Sequence, residues 1–151
     1  MKWTALLLAI ALLAWAPTVW AQEAEVLTVI KAYEKAYNAS DLPGMSAIVA
    51  DDAKMDSRIE KRKMTKAEWA KVIDTQFRAK QILGVEFKDP KVTMTDPTHA
   101  MVTVTVVIQI VRRAGSGAGS DSRGATPAFD AEWKFEQRAG IWLLVETTWK
   151  N

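Results

Sequence analysis

The sequence predicts an α+β domain in which N-terminal helices pack on one face of a curved antiparallel sheet. Before Gly84, apolar residues recur with helical spacing, as at Val26, Ile30 and Tyr33. After Gly84 they alternate with polar residues instead, most clearly in residues 101–111, MVTVTVVIQIV. Helices that precede a run of strands in this way are typical of the α+β class.

The chain begins with a segment that is typical of a secretory signal peptide. Lys2 precedes the apolar stretch Ala5–Ala14, and small residues at the end of the leader fit a cleavage site. A retained membrane anchor is the alternative, because the leader has no further charge, but Pro17 interrupts it and no basic flank follows. We expect residues 1–21 to be removed, which would leave 22–151 as one periplasmic or secreted domain.

Composition restricts the kinds of site that the remaining 130 of the 151 residues can hold. The chain has no cysteine and one histidine, so a disulfide is excluded and a zinc site is not expected. Without Lys2, 19 basic residues balance 18 acidic ones, which argues against a nucleic-acid-binding protein. We therefore expect no cofactor, no metal, no nucleic-acid partner and no stable membrane anchoring after cleavage.

Two helices are predicted before the first strand. Helix-spaced apolar residues over Glu23–Asn38 predict the first helix, and Asp41 is the expected N-cap of the second. The Asp51-Asp52 pair is expected to end the second helix, and Ala53–Ser57 to form a short strand.

The third helix has the clearest predicted boundaries. Thr65 and Glu68 have the spacing of a capping box, and Met64 can pack on Trp69 as a hydrophobic staple. The helix should end near Lys80, because Gly84 follows and the apolar period changes there.

Four strands are predicted after the third helix. The first is bent at Asp89-Pro90, and the last two are joined by a tight turn at Ala139-Gly140. The strands are expected at residues 85–94, 101–111, 129–137 and 141–149.

Three polar features are interpreted as connections. The glycine-rich segment 114–127 is not followed directly by a helix, so it is a flexible hairpin connection and not a phosphate-binding loop. His99 follows a proline turn and is expected to be solvated. Asp51, Asp52 and Asp56 are interpreted as turn and helix-ending residues, with a hard-cation site as the alternative.

The chain carries three short motifs: AYEKAYNASDL at 32–42, ADDA at 50–53 and GIW at 140–142. They resemble the patterns of the nuclear transport factor 2-like superfamily, which includes the SnoaL-like proteins and ketosteroid isomerase. The resemblance implies a cystatin-like cone in which the first two helices close one side of a pocket against the sheet. It also implies a homodimer formed through the outer face of the sheet.

The resemblance to ketosteroid isomerase implies roles for three positions. Tyr33 matches the tyrosine of the oxyanion hole in that enzyme. Its base carboxylate matches Ser57, with Asp56 one residue earlier, and its protonated aspartate matches Ala131, which stands between two acidic residues. Two of three positions differ, and strand neighbours face opposite sides of a sheet, so the comparison argues against steroid isomerisation.

The candidate pocket residues are aromatic or acidic: Tyr33, Asp56, Trp69, Trp133 and Glu146. Such tryptophans either fill the core or line an aromatic cavity. If Trp142 and Leu144 point inward, Glu146 does so too, and burial would raise its pKa. If Ile141 and its alternate neighbours point inward instead, Glu146 lies on the surface.

The leading function hypothesis is that an exported domain binds a small apolar or aromatic molecule in this pocket. The second is an acid-base enzyme with Asp56 or Glu146 as base and Tyr33 as hydrogen-bond donor. The third is a dimerisation module with a filled core and no ligand. Catalytic residues stay unassigned at this point.

Overall fold

The computed structural model describes residues 4–58, 60–80, 82–110 and 126–150. These ranges contain the elements α1 (Thr4–Asn38), α2 (Leu42–Ile48), β1 (Val49–Ser57), β2 (Arg62–Met64), α3 (Lys66–Ala79), β3 (Ile82–Asp96), β4 (His99–Ile110), β5 (Ala128–Arg138) and β6 (Ile141–Trp149). The predicted α+β architecture, with helices on one side of a sheet, is confirmed. The segment 114–127, interpreted as a hairpin connection, lies mostly outside the described residues.

The six strands form one sheet in the order β2-β1-β6-β5-β4-β3. Strands β3 to β6 make an antiparallel meander, as the alternating pattern predicts. Strand β1 pairs in parallel with β6, so the sheet is mixed and mostly antiparallel. This pairing joins the first strand to the last, and no local pattern in the sequence could indicate it.

Both predicted helix caps are present. The Asp41 carboxylate accepts the backbone N–H of Gly44 at 2.9 Å and begins α2. Thr65 and Glu68 form the reciprocal capping box of α3, and Lys80, in the left-handed conformation at φ 49°, ends that helix.

The predicted end of α2 is wrong. The helix ends at Ile48, and Asp51 and Asp52 lie within β1. Val49 is 1% exposed and pairs with Leu144, so burial against β6 extends the strand four residues before its predicted start. Helix α1 also begins earlier than predicted, at Thr4. In the described part of the chain, no helix is both long and apolar enough to span a membrane.

The core lies between the helices and one face of the sheet. On β4, Val102, Val104 and Val106 are buried while Thr103 is exposed, which confirms the predicted alternation. Val26 and Ile30 bury the matching stripe of α1. Since the chain has no disulfide, this packing and the hydrogen bonds around it hold the elements together.

Two side chains of α1 cover the open edge of the sheet, and we call Glu34 and Asn38 the α1 clamp. Asn38 Oδ1 accepts from the Val85 N–H at 2.8 Å, and Asn38 Nδ2 donates to the Val85 carbonyl at 2.9 Å. Glu34 Oε2 accepts from the Phe87 N–H at 2.7 Å. Glu34 and Asn38 are four residues apart and therefore share one face of α1. Val85 and Phe87 are two residues apart and therefore present their backbone groups to the same edge of β3, so the two pairs of residues face each other.

Gly84 permits this close approach. A Cβ atom at this position would lie 3.0 Å from Asn38 Oδ1, which is tighter than ordinary packing allows. Further along β3, the register shifts between Lys88 and Lys91, and Asp89 has φ 49°. The predicted break at Asp89-Pro90 is therefore confirmed as a bulge.

We expect Asn38→Ala to lower the free energy of unfolding by about 1–3 kcal/mol, because both polar groups of Val85 would lose their partner. Lys31→Ala is the matched control, since Lys31 is exposed on the same helix. Urea denaturation of the two variants and the wild type measures the difference. Equal midpoints for all three proteins would contradict a stabilising role for the clamp.

Candidate functional site

A cavity of about 270 Å³ lies between the helices α1 and α3 and the sheet. Its walls come from these two helices and from β1 to β6, and most of the lining side chains are apolar. The fold leaves this space because the sheet curves away from the helices that cover it. Four of the five predicted site residues line this cavity.

Four aromatic rings in contact with one another form part of the cavity wall, and we call Tyr33, Trp69, Phe87 and Trp133 the aromatic cluster. The Trp133 ring stands edge-on to Phe87 at 4.9 Å between ring centres, and to Tyr33 at 5.3 Å. Tyr33 stacks on Phe87 at 6.0 Å and is tilted against Trp69 at 6.5 Å. Such edge-on and offset pairs are favourable and hold each ring in one orientation.

The structure brings four of the five candidate residues together. The cavity is lined by Tyr33, Asp56, Trp69 and Trp133, whereas Glu146 lies outside it. Among the cavity residues that the sequence interpretation did not include are Arg58, Phe87 and Trp149. The alternating apolar pattern of β3 could have indicated Phe87, but Arg58 stands in a charged segment that reads as a solvated turn.

A bulge in β6 explains why Glu146 points away from the cavity. Phe135 pairs with Leu144 and Lys134 with Glu146, so Val145 is an extra residue on β6; we call this the β6 bulge. The extra residue reverses the alternation of the strand. Trp142 and Leu144 face the core before the bulge, and Thr147 lines the cavity after it.

Of the two alternatives for Glu146, the inward position with a raised pKa is not the one found, because the surroundings of its carboxylate are cationic rather than apolar. Its carboxylate lies 2.8 Å from Lys134 Nζ and 3.3 Å from Lys63 Nζ. The hydrogen bond from Lys134, followed by that from Lys63, holds the pKa of Glu146 below its usual value. Glu146 is therefore an ion-pair residue outside the cavity.

Asp56 joins β1 to the end of β6 at the cavity rim. Its Oδ2 accepts from the Trp149 backbone N–H at 2.9 Å, and its own N–H donates to Thr147 Oγ1 at 2.9 Å. The Trp149 indole Nε1 donates to the Asp56 carbonyl at 3.1 Å. The Asp56 carboxylate therefore makes a structural hydrogen bond with the backbone of β6, although Asp56 also lines the cavity.

The positions that match ketosteroid isomerase come only partly together. Ser57 lines the cavity, but Ala131 is buried at 2% exposure and is not among the lining residues. Asp130 accepts from the Thr105 hydroxyl at 2.8 Å, and Glu132 pairs with Lys150 at 2.6 Å. Neither acidic neighbour replaces the missing aspartate.

Both cavity tyrosines are neutral hydrogen-bonding groups at neutral pH. Burial raises the pKa of Tyr33 far above 10.0, with the neighbouring Tyr37 adding to the rise and a hydrogen bond from Trp69 opposing it. Burial also raises the pKa of Tyr37 to about 12. The Tyr37 hydroxyl lies 3.3 Å from Gln76 Oε1 at the cavity wall.

One polar atom of the aromatic cluster is not satisfied. The indole Nε1 of Trp133 is buried and has no hydrogen-bond partner in the described ranges. A buried donor without a partner costs about 1–3 kcal/mol of folding free energy. Trp142, by contrast, donates its indole N–H to Glu25 at 3.0 Å and does not line the cavity.

The other polar candidates are explained by local contacts. His99 is exposed, and its Nδ1 lies 2.9 Å from the carboxylate of Asp96 in the turn before β4. Asp51 pairs with Lys66 and Asp52 with Arg138. Among the residues that the structure describes, no three acidic or histidine side chains converge as metal ligands would.

Comparison with known proteins identifies the fold of this chain. The SnoaL-like domain family matches residues 26–139. A nuclear transport factor 2-like protein of unknown function from Shewanella oneidensis is 14% identical, with a TM-score of 0.67 over 84% of this chain and 97% of that one. A similar protein of unknown function from Pseudomonas putida is 18% identical, with a TM-score of 0.69 over 86% of both chains.

A candidate polyketide cyclase from Xanthomonas campestris also shares the fold. It is 21% identical, with a TM-score of 0.57 over 85% of this chain and 92% of that one. At these identities the structural likeness concerns the fold alone. No curated protein matches the chain.

We expect alkaline pH to destabilise the protein partly through Tyr37. A tyrosine whose folded-state pKa is raised stabilises the fold fully below its unfolded value of 10.0, and this contribution is lost as pH rises towards about 12. The free energy of unfolding should therefore fall above pH 10.0, and fall less in Tyr37→Phe, which cannot ionise. Urea denaturation across this pH range measures both proteins, and parallel curves would refute the assignment.

Proposed function

The chain belongs to the SnoaL-like domain family, and from that premise we propose that it binds a small apolar or aromatic molecule in its cavity. The family does not fix the ligand, because one scaffold of this kind hosts unrelated functions. The proposal therefore depends on the site itself.

The observation that carries the proposal is the aromatic cluster around an open space of about 270 Å³. Ligand sites are concave and mostly apolar, and typically reach volumes of about 300–1,000 Å³. At about 270 Å³ this cavity lies just below that range, which suits a small organic molecule. Burial of apolar ligand surface contributes roughly 25 cal/mol per Å² before the costs of association are subtracted.

A few polar groups at the cavity can orient such a ligand. The Trp133 indole N–H has no partner within the described chain, and the Tyr37 hydroxyl lies at the wall. Because the Tyr37 hydroxyl already donates to Gln76 Oε1, the Trp133 N–H is the donor left for a ligand, and a ligand with an acceptor oxygen would fit better than a pure hydrocarbon.

The second candidate function, an acid-base enzyme, is less well supported than ligand binding. Its favouring observation is that Asp56 and Tyr33 line the same cavity, in a fold shared with a candidate polyketide cyclase. However, the Asp56 carboxylate accepts a backbone N–H of β6, and Glu146 lies outside the cavity.

The open cavity also argues against a dimerisation module with a filled core. Export through the leader and a homodimer through the outer sheet face stay predictions.

We expect calorimetric titration with the neutral probe 2-naphthamide to show binding that depends on the cavity. Val106→Phe would fill part of the space, because Val106 lines the cavity at 3% exposure. The dissociation constant should rise by about tenfold or more, which corresponds to about 1.4 kcal/mol.

Val107→Phe is the matched control, since the next residue of β4 faces the other side of the sheet. Its affinity for the probe should stay that of the wild type. The proposal fails if wild type and Val106→Phe titrate alike, or if the wild type shows no heat of binding at all.

A further inference from the structure

We infer that the ligand is a small apolar carboxylate, and that Arg58 binds its carboxylate group at the rim of the cavity. This inference rests on the proposed binding function and adds the charge of the ligand and the residue that recognises it. It assigns a specificity-determining role to a residue that the sequence pattern places in an ordinary charged turn.

The guanidinium group of Arg58 lies against aromatic rings at the cavity. Its central carbon is 3.3 Å from the ring centre of Phe129 and 5.6 Å from that of Trp149. This cation–π contact uses the face of the guanidinium group, whereas its N–H donors point outward in its plane. The rings therefore hold the group in place and leave its donors for another partner.

Arg58 differs from the other arginines that the structure describes. Arg62 pairs with Glu60 and Glu68, and Arg138 pairs with Asp52 and Glu136. Arg78 pairs with Asp74. For Arg58, no carboxylate of the described chain lies within the 4.0 Å of an ion pair. It is also the one cation among the described residues that line the cavity.

The nearest acidic side chain at the cavity does not take the place of a ligand. Asp56 also lines the rim, but its carboxylate accepts the Trp149 backbone N–H at 2.9 Å. Asp56 therefore adds negative charge at the rim without pairing with Arg58. An anionic ligand would need the Arg58 fork to offset that charge, so its affinity should depend strongly on this residue.

The two parts of the site together define the chemistry of the ligand. The aromatic cluster accepts an apolar or aromatic body, and the guanidinium fork matches the two oxygens of a carboxylate. A molecule with both parts would place its body in the cavity and its charge at the solvent-accessible rim. Such an arrangement avoids burial of an unpaired charge.

The test compares two probes that share a ring system and differ in charge, 2-naphthoate and 2-naphthamide, by calorimetric titration of the protein. We expect the wild type to bind the carboxylate about tenfold or more tightly than the amide. Arg58→Gln should remove this preference, since it keeps much of the side-chain length and loses the charge. Arg58→Lys should retain part of it, because the charge stays without the planar fork.

Arg78→Gln is the matched control, because Arg78 is exposed on α3 and does not line the cavity. Its preference for the carboxylate should equal that of the wild type. Equal affinity of the wild type for both probes would overturn the inference but leave the binding function in place. A preference that survives in Arg58→Gln would also overturn it, and absence of binding by either probe would overturn both proposals.

Discussion

The contact of α1 with the outer edge of β3 determines where the rest of the site lies. An edge strand presents N–H and carbonyl groups that need partners, and here Glu34 and Asn38 supply them. The same helix also places Tyr33 against the ring of Phe87, whose backbone the clamp holds. One set of hydrogen bonds thus protects the sheet edge and fixes two walls of the cavity, in a chain without disulfides.

Part of the cavity wall consists of aromatic rings that support one another. Trp133 contacts both Tyr33 and Phe87 edge-on, so it cannot swing into the space without losing both contacts. Its buried indole N–H has no partner among the described residues, which leaves one donor of the cluster for a bound molecule.

The sequence predicted what local patterns determine. The caps at Asp41 and Thr65 and the alternation of β4 each depend on residues a few positions apart. The parallel pairing of β1 with β6 and the shift at Val145 depend on contacts between distant segments, so no local period could indicate them. Arg58 was missed for the same reason, because its aromatic partners come from β5 and β6.

The β6 bulge divides one strand into two independent surfaces. Upstream of Val145 the inward residues belong to the core, and downstream of it they belong to the cavity. If the pairing ran on past Leu144 without the bulge, Lys134 would lie opposite Val145, and Glu146 would take the inward position opposite Trp133 in place of Thr147. The presence of one bulge, with no substitution, therefore decides whether the cavity wall opposite Trp133 carries a hydroxyl group or a carboxylate.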